Sequence, residues 1–148
     1  MTYWRMQLHP NASSQAMRYA VESLASGFIG LDFGRDPGDL RKVKRAALPT
    51  AEQDYWDFAN SMAKSDKVLV IVHHYPFALA TIDGDYNYIT EPVSKLGVWF
   101  RHFRPVVDVQ YYADRVTNVT EWDQFTMTDT ISILKDPKSK SYLLIDEW

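Results

Sequence analysis

Residues 3–8 alternate, with Tyr3, Arg5 and Gln7 on one face of an extended segment and Trp4, Met6 and Leu8 on the other. That pattern predicts a first strand, ended by His9, Pro10 and Asn11. A stripe of Met17, Ala20, Val21 and Leu24 at helical spacing follows. With Ser13 or Ser14 as cap it predicts a helix to about residue 25, and Gly27 is placed to terminate it. Residues 28–33 read as a short strand in which Gly30 allows another backbone or a ligand to come close. The polar, basic, turn-rich stretch 34–49 reads as a loop.

Thr50 opens a second helix, because TAEQ at 50–53 has capping-box spacing and Trp56, Ala59, Met62 and Ala63 share one face. Ser65 and Asp66 turn into an apolar strand over 67–73, and the chain turns again at Pro76. Strand-like runs follow at 77–83, 86–89, 98–103, 106–112 and 141–146, and Thr128 caps a short helix over 129–134. Several short strands with two early helices predict an α+β fold around a curved sheet or small barrel.

At 148 residues the chain is sized for one domain spanning 1–148. Apolar residues make up 46%, which excludes disorder along the whole length. There is no cysteine, so disulfides, thiolate metal sites and thiol nucleophiles are excluded. No apolar run approaches the length of a membrane span and MTYWRMQLHP has no signal-peptide core, so a cytoplasmic protein without a membrane partner is expected. The net charge of −3 argues against non-specific coating of nucleic acid. It leaves room for a local basic surface, and residues 35–45, RDPGDLRKVKR, carry five positive and two negative side chains.

Candidate chemistry gathers at strand ends. Aromatic residues are 14% of the chain, and rings serve either a β-core or a stacking surface for bases. Phe33 and Tyr75 each end a strand beside turn or loop residues, where a flat ligand can enter without breaking a ladder. Asp32 can accept a hydrogen bond from an exocyclic amine, and Asn11 can bond a base edge. Tyr86 and Tyr88 share a strand face, one available to a pocket or to the core. Trp99 precedes Arg101, His102 and Arg104, a basic and aromatic interleaving suited to phosphate contact with stacking. Base contact is therefore expected from Asn11, Asp32, Phe33, Tyr75, Tyr86 and Trp99. Phosphate contact is expected from Arg35, Arg41, Lys42, Lys44, Arg45, Arg101 and Arg104. No catalytic residue, metal ligand or cofactor is expected.

The order of elements resembles the PUA-like superfamily, with the EVE and YTH branches nearest. Four pieces carry the likeness: YWRMQLHP at 3–10, GFIGLDF at 27–33, FANSMAKSDKVLV at 58–70 and FRPVVDVQYY at 103–112. Relatives write the third piece as a K-x-G-D-x-V run, and Ser65 replaces its glycine here. The likeness extends to N-terminal domains of McrB-type modification-dependent restriction systems. It implies a module that flips a modified, methylated base into an aromatic pocket, in DNA rather than RNA, alongside restriction-system subunits. The tryptophan that follows the first helix in YTH domains is missing, and Phe33 is the nearest ring to its place.

Two rival readings remain open. A small metal-dependent nuclease or hydrolase would be built from His73, His74, Asp83 and Asp85, although no metal-ligand spacing supports it. A protein-interaction domain would use exposed aromatics as hot spots.

Overall fold

The computed structural model describes residues 1–8, 16–127 and 129–148. Asn11, the serine caps at 13 and 14, and Thr128 lie outside them. The described elements run β1 (Tyr3–Gln7), α1 (Ala16–Ala25), β2 (Phe28–Leu31), α2 (Gln53–Asn60), β3 (Lys67–Val72), β4 (Tyr75–Ile82), β5 (Asn87–Tyr88), β6 (His102–Tyr111), α3 (Tyr112–Arg115), β7 (Ile131–Ile133) and α4 (Lys140–Glu147). This is an α+β protein whose mixed sheet has the order β2-β6-β4-β3-β1-β7, with β5 also paired to β6. The sheet curls into a half-barrel. Among the described strands only β1 and β3 run parallel, Tyr3 opposite Lys67 and Gln7 opposite Ile71.

β3 lies in the middle and is buried on both faces, which is why it reads as an unbroken apolar run. Val68, Val70 and Val72 join the larger core with Trp4, Met6 and Leu8, together with residues of α1 and α2. Leu69 and Ile71 face a smaller core made with Phe125, Met127 and the α4 residues Leu144 and Ile145. The first helix ends as expected: Gly27 has φ 81° and its N–H bonds to the Leu24 carbonyl at 3.0 Å. The second helix opens later than expected: Thr50–Glu52 form a separate three-residue turn, α2 begins at Gln53 without a side-chain cap, and the TAEQ capping box is not formed.

Four further expectations are corrected. Residues 141–146 are helical, because Ser139 caps the segment by accepting the Tyr142 N–H, and Ser141, Leu144 and Ile145 form the buried stripe. Residues 129–134 hold a strand, β7, because Ile131 and Ile133 pair with the edge of β1. The runs 98–103 and 106–112 merge into one strand from His102 onward, with Pro105 opposite Phe28. The β3–β4 turn falls at His73 and His74, not at Pro76. Both histidines have positive φ (52° and 68°), as a two-residue hairpin loop demands.

β6 carries one extra residue against β4: Leu79 pairs with Gln110 but Thr81 with Val107, and Asp108 there has φ 50°. Such a bulge bends the strand and adds to the curl.

Candidate functional site

The sheet has two chemically distinct ends, and the sequence candidates divide between them. β2 and β4 finish, and β6 begins, at one end, and β4 begins and β6 finishes at the other. The spacing is roughly 25 Å, the length of an eight- to ten-residue strand. Phe33 lies at the first end and Tyr75 at the second, so they do not form one cage.

The first end is built on Gly30. A Cβ there would lie 2.6 Å from the Phe100 ring and 2.7 Å from the His102 carbonyl, so only glycine lets β2 sit this close. His102, fully buried, is the hub. Its Nδ1 lies 2.6 Å from the Tyr86 hydroxyl, and that oxygen accepts the Leu40 N–H at 3.1 Å. Its Nε2 faces Asp36 Oδ1 at 3.4 Å, an electrostatic contact without hydrogen-bond geometry. Asp36 in turn accepts from Tyr88 Oη and from the Gly38 N–H. Phe33 packs edge-on to His102 at 5.1 Å and to Tyr55 at 4.7 Å. Tyr86 and Tyr88 both reach the His102 ring, at 5.9 and 5.2 Å, as their shared strand face requires.

Burial lowers the His102 pKa, against the pull of Asp36 and Asp32, so the ring is neutral at pH 7. Burial raises that of Asp36, but the Tyr88 and Gly38 hydrogen bonds, with His102 and Arg101, outweigh it and hold the carboxyl below its ordinary range. This end is a packed polar network. Phe33 and Tyr86 are each 2% exposed, leaving no room for a ring between them.

The predicted phosphate contacts behave unequally. Arg104 is corrected outright. It is 4% exposed and donates to the carbonyls of Phe58 (2.7 Å), Ala59 (3.1 Å) and Gly84 (2.9 Å). Arg101 is paired with Asp32 at 2.8 Å, so that aspartate is engaged as well. Arg41 grips Asp39 through two nitrogens and lies over the Tyr86 ring. Arg45 stands near Asp54 and Asp57, at 3.7 and 3.9 Å. Arg35, Lys42 and Lys44 are exposed, and among the described residues none has an ion-pair partner.

The second end holds a cavity of about 280 Å³ with almost wholly apolar walls, lined by Met17, His73, Tyr75, Pro76, Phe77 and Trp122 among others. Its rings are held from behind. Trp122 donates its indole N–H to the Val116 carbonyl at 2.7 Å and packs at a right angle on Tyr112. Tyr75 meets Trp122 edge-on at 6.4 Å, and Phe77 leans on Tyr111. The Phe125 N–H bonds to the His74 carbonyl at 2.7 Å, tying the histidine turn to the segment that carries Trp122.

The sequence pointed to Tyr75 as a ring beside a turn, but gave no sign that Phe77 and Trp122 line the same cavity. Trp122 sits in an irregular stretch with no periodicity, and only the chain's return places it beside Tyr75. Asp36 was hidden in the basic run, where it read as one of two acids. Trp99 belongs to neither end: it is half-buried between Tyr19, at 4.6 Å, and the Arg18 guanidinium, at 5.1 Å. His73 and His74 lie at the opposite end of β4 from Asp83 and Asp85, so that constellation is not assembled. The chain matches no family model and no curated protein.

Proposed function

We propose that this chain is a nucleic-acid-binding module of the PUA-like kind that reads a modified base in the apolar cavity lined by Tyr75, Phe77 and Trp122. The observation that carries this reading is that cavity: apolar, walled by rings and open at the strand ends. Support for the fold-level likeness comes from the curled α+β sheet and from the order strand, helix, glycine-bearing strand, loop, helix. DNA is favoured over RNA by the likeness to restriction-system domains.

The energetics are consistent. Extruding a base from a duplex costs a few kcal/mol. Stacking on an aromatic side chain returns roughly 1–3 kcal/mol per base. A methyl group buried against apolar walls adds about 0.8 kcal/mol. Two rings and a methyl therefore offset extrusion for a modified base and leave the unmodified base at a disadvantage.

The test is a binding screen against oligonucleotides carrying methylated cytosine, hydroxymethylated cytosine or methylated adenine, each beside its unmodified twin. One modified strand should bind most tightly, and Tyr75→Ala or Trp122→Ala should each weaken it about tenfold or more, since 1.4 kcal/mol is a factor of ten. Equal binding of every modified and unmodified pair would overturn the reading.

A separate arm addresses the three unpaired cations. Replacing Arg35, Lys42 and Lys44 together by alanine should lower affinity for all sequences alike. It should also flatten the salt dependence, by up to about 0.9 in slope for each phosphate that is no longer neutralised. An unchanged slope would show that loop to be solvated surface only.

A further inference from the structure

We propose that His102 is an acid-sensitive latch that holds the 34–49 loop against the sheet. The ring is fully buried and both its nitrogens face the loop's anchorage. On one side Tyr86 connects it to the backbone of Leu40; on the other lies the carboxylate of Asp36.

The hydrogen-bond directions follow from counting protons. The Tyr86 oxygen accepts the Leu40 N–H, so the hydroxyl proton is free to point at His102. Nδ1 is then the bare acceptor, and the Asp36 carboxylate facing Nε2 favours the same tautomer, with the neutral ring's proton on Nε2. A second proton can go only onto Nδ1. The Tyr86 oxygen could still accept from Nδ1–H, but its own proton would then have no acceptor, on a residue 2% exposed. A buried donor left unpaired costs about 1–3 kcal/mol. The new positive charge meanwhile strengthens the attraction to Asp36. Protonation therefore keeps the Asp36 side and breaks the Tyr86 side, and the loop lifts at Leu40.

The charged and titratable groups around the ring come from every neighbouring element. Asp32 stands at the exit of β2, Asp36 and Asp39 on the loop, Tyr86 and Tyr88 around β5, and Arg101 on β6, with Arg41 over the outer face of Tyr86. The two nearest carboxylates each have a partner already, Asp32 with Arg101 and Asp36 with Tyr88. Burial prevails over them and keeps the ring in its neutral form. The closed loop therefore disfavours the proton that the open loop accepts at the ordinary histidine value near 6.5. Closure is thus complete above that pH and is lost as pH falls below it. The latch rests on this geometry alone, independent of any ligand in the Tyr75 cavity.

The experiment is residue-resolved amide exchange on the intact chain between pH 7.5 and 5, corrected for intrinsic rates, with nitrogen chemical shifts of His102. At pH 7.5 the shifts should show the Nε2–H tautomer. Below pH 6.5 the Leu40 amide should lose protection by up to about tenfold per pH unit, while the β3 amides stay more protected than Leu40. In His102→Gln, whose amide can accept from Tyr86 and donate to Asp36 without titrating, Leu40 protection should not change with pH. The Nδ1–H tautomer, or an imidazolium, at pH 7.5 would overturn the latch, even if His102→Gln fails to fold. So would Leu40 protection in the wild-type chain that ignores pH, or that tracks the β3 amides at every pH.

Discussion

Phe33→Ala should cost about 3–5 kcal/mol of folding stability, the range for truncating a buried phenylalanine. Phe33 is 2% exposed and wedged between Tyr55 and His102, with Leu31 and Leu40 in the same core. In a chain of this length each kcal/mol moves the thermal midpoint by roughly 2–4 °C, so a fall of about 10 °C or more is expected. Phe33, expected from its strand-end position to contact a base, is thus a core ring. Tyr75→Ala is the contrast, because Tyr75 is 39% exposed and its loss should cost under about 1 kcal/mol. Thermal unfolding of the two variants side by side checks both statements. If Phe33→Ala keeps the wild-type midpoint, the ring is not the core element described.

Arg104→Met should be of comparable size, about 2–5 kcal/mol. The Phe58 and Ala59 carbonyls belong to the last turn of α2, where helix carbonyls have no intrahelical partner. Arg104 supplies the donors, reaches the Gly84 carbonyl as well, and brings a positive charge to the negative end of the helix. Methionine fills similar space but leaves two buried acceptors unpaired, each costing about 1–3 kcal/mol. Lysine should rescue little, since a single ammonium cannot span three carbonyls as a planar guanidinium does. Urea unfolding measures the loss. A midpoint within error of wild type would return Arg104 to the surface role expected from its place in a basic cluster.

Local signals were legible where one strand or helix face could be read against water. Trp4, Met6 and Leu8 alternate into the core as the pattern of β1 demands. Gly27 ends α1, and Gly30 admits the close approach of Phe100 and His102. The shared face of Tyr86 and Tyr88 brings both rings to His102. Illegible were the pairings that depend on distant chain. Ile131 and Ile133 became a strand because β1 had an open edge to cover. Residues 141–146 became a helix because the apolar sheet face over Leu69 and Ile71 needed a stripe to bury.

The same division governs function. The residue types were readable in advance: rings at strand ends, a basic run at 35–45, two tyrosines on one face. Which of them meet was not, because a side chain's partners depend on strand order, and β2-β6-β4-β3-β1-β7 is set by contacts across more than a hundred residues. Tertiary structure alone sent Phe33 to one end of the sheet and Tyr75 to the other. It gave Tyr75 the partner Trp122 and turned Arg104 inward to cap a helix. It also buried His102, because a charge pattern along a chain says nothing of depth, and depth decides whether an imidazole is a surface cation or a neutral link in the core.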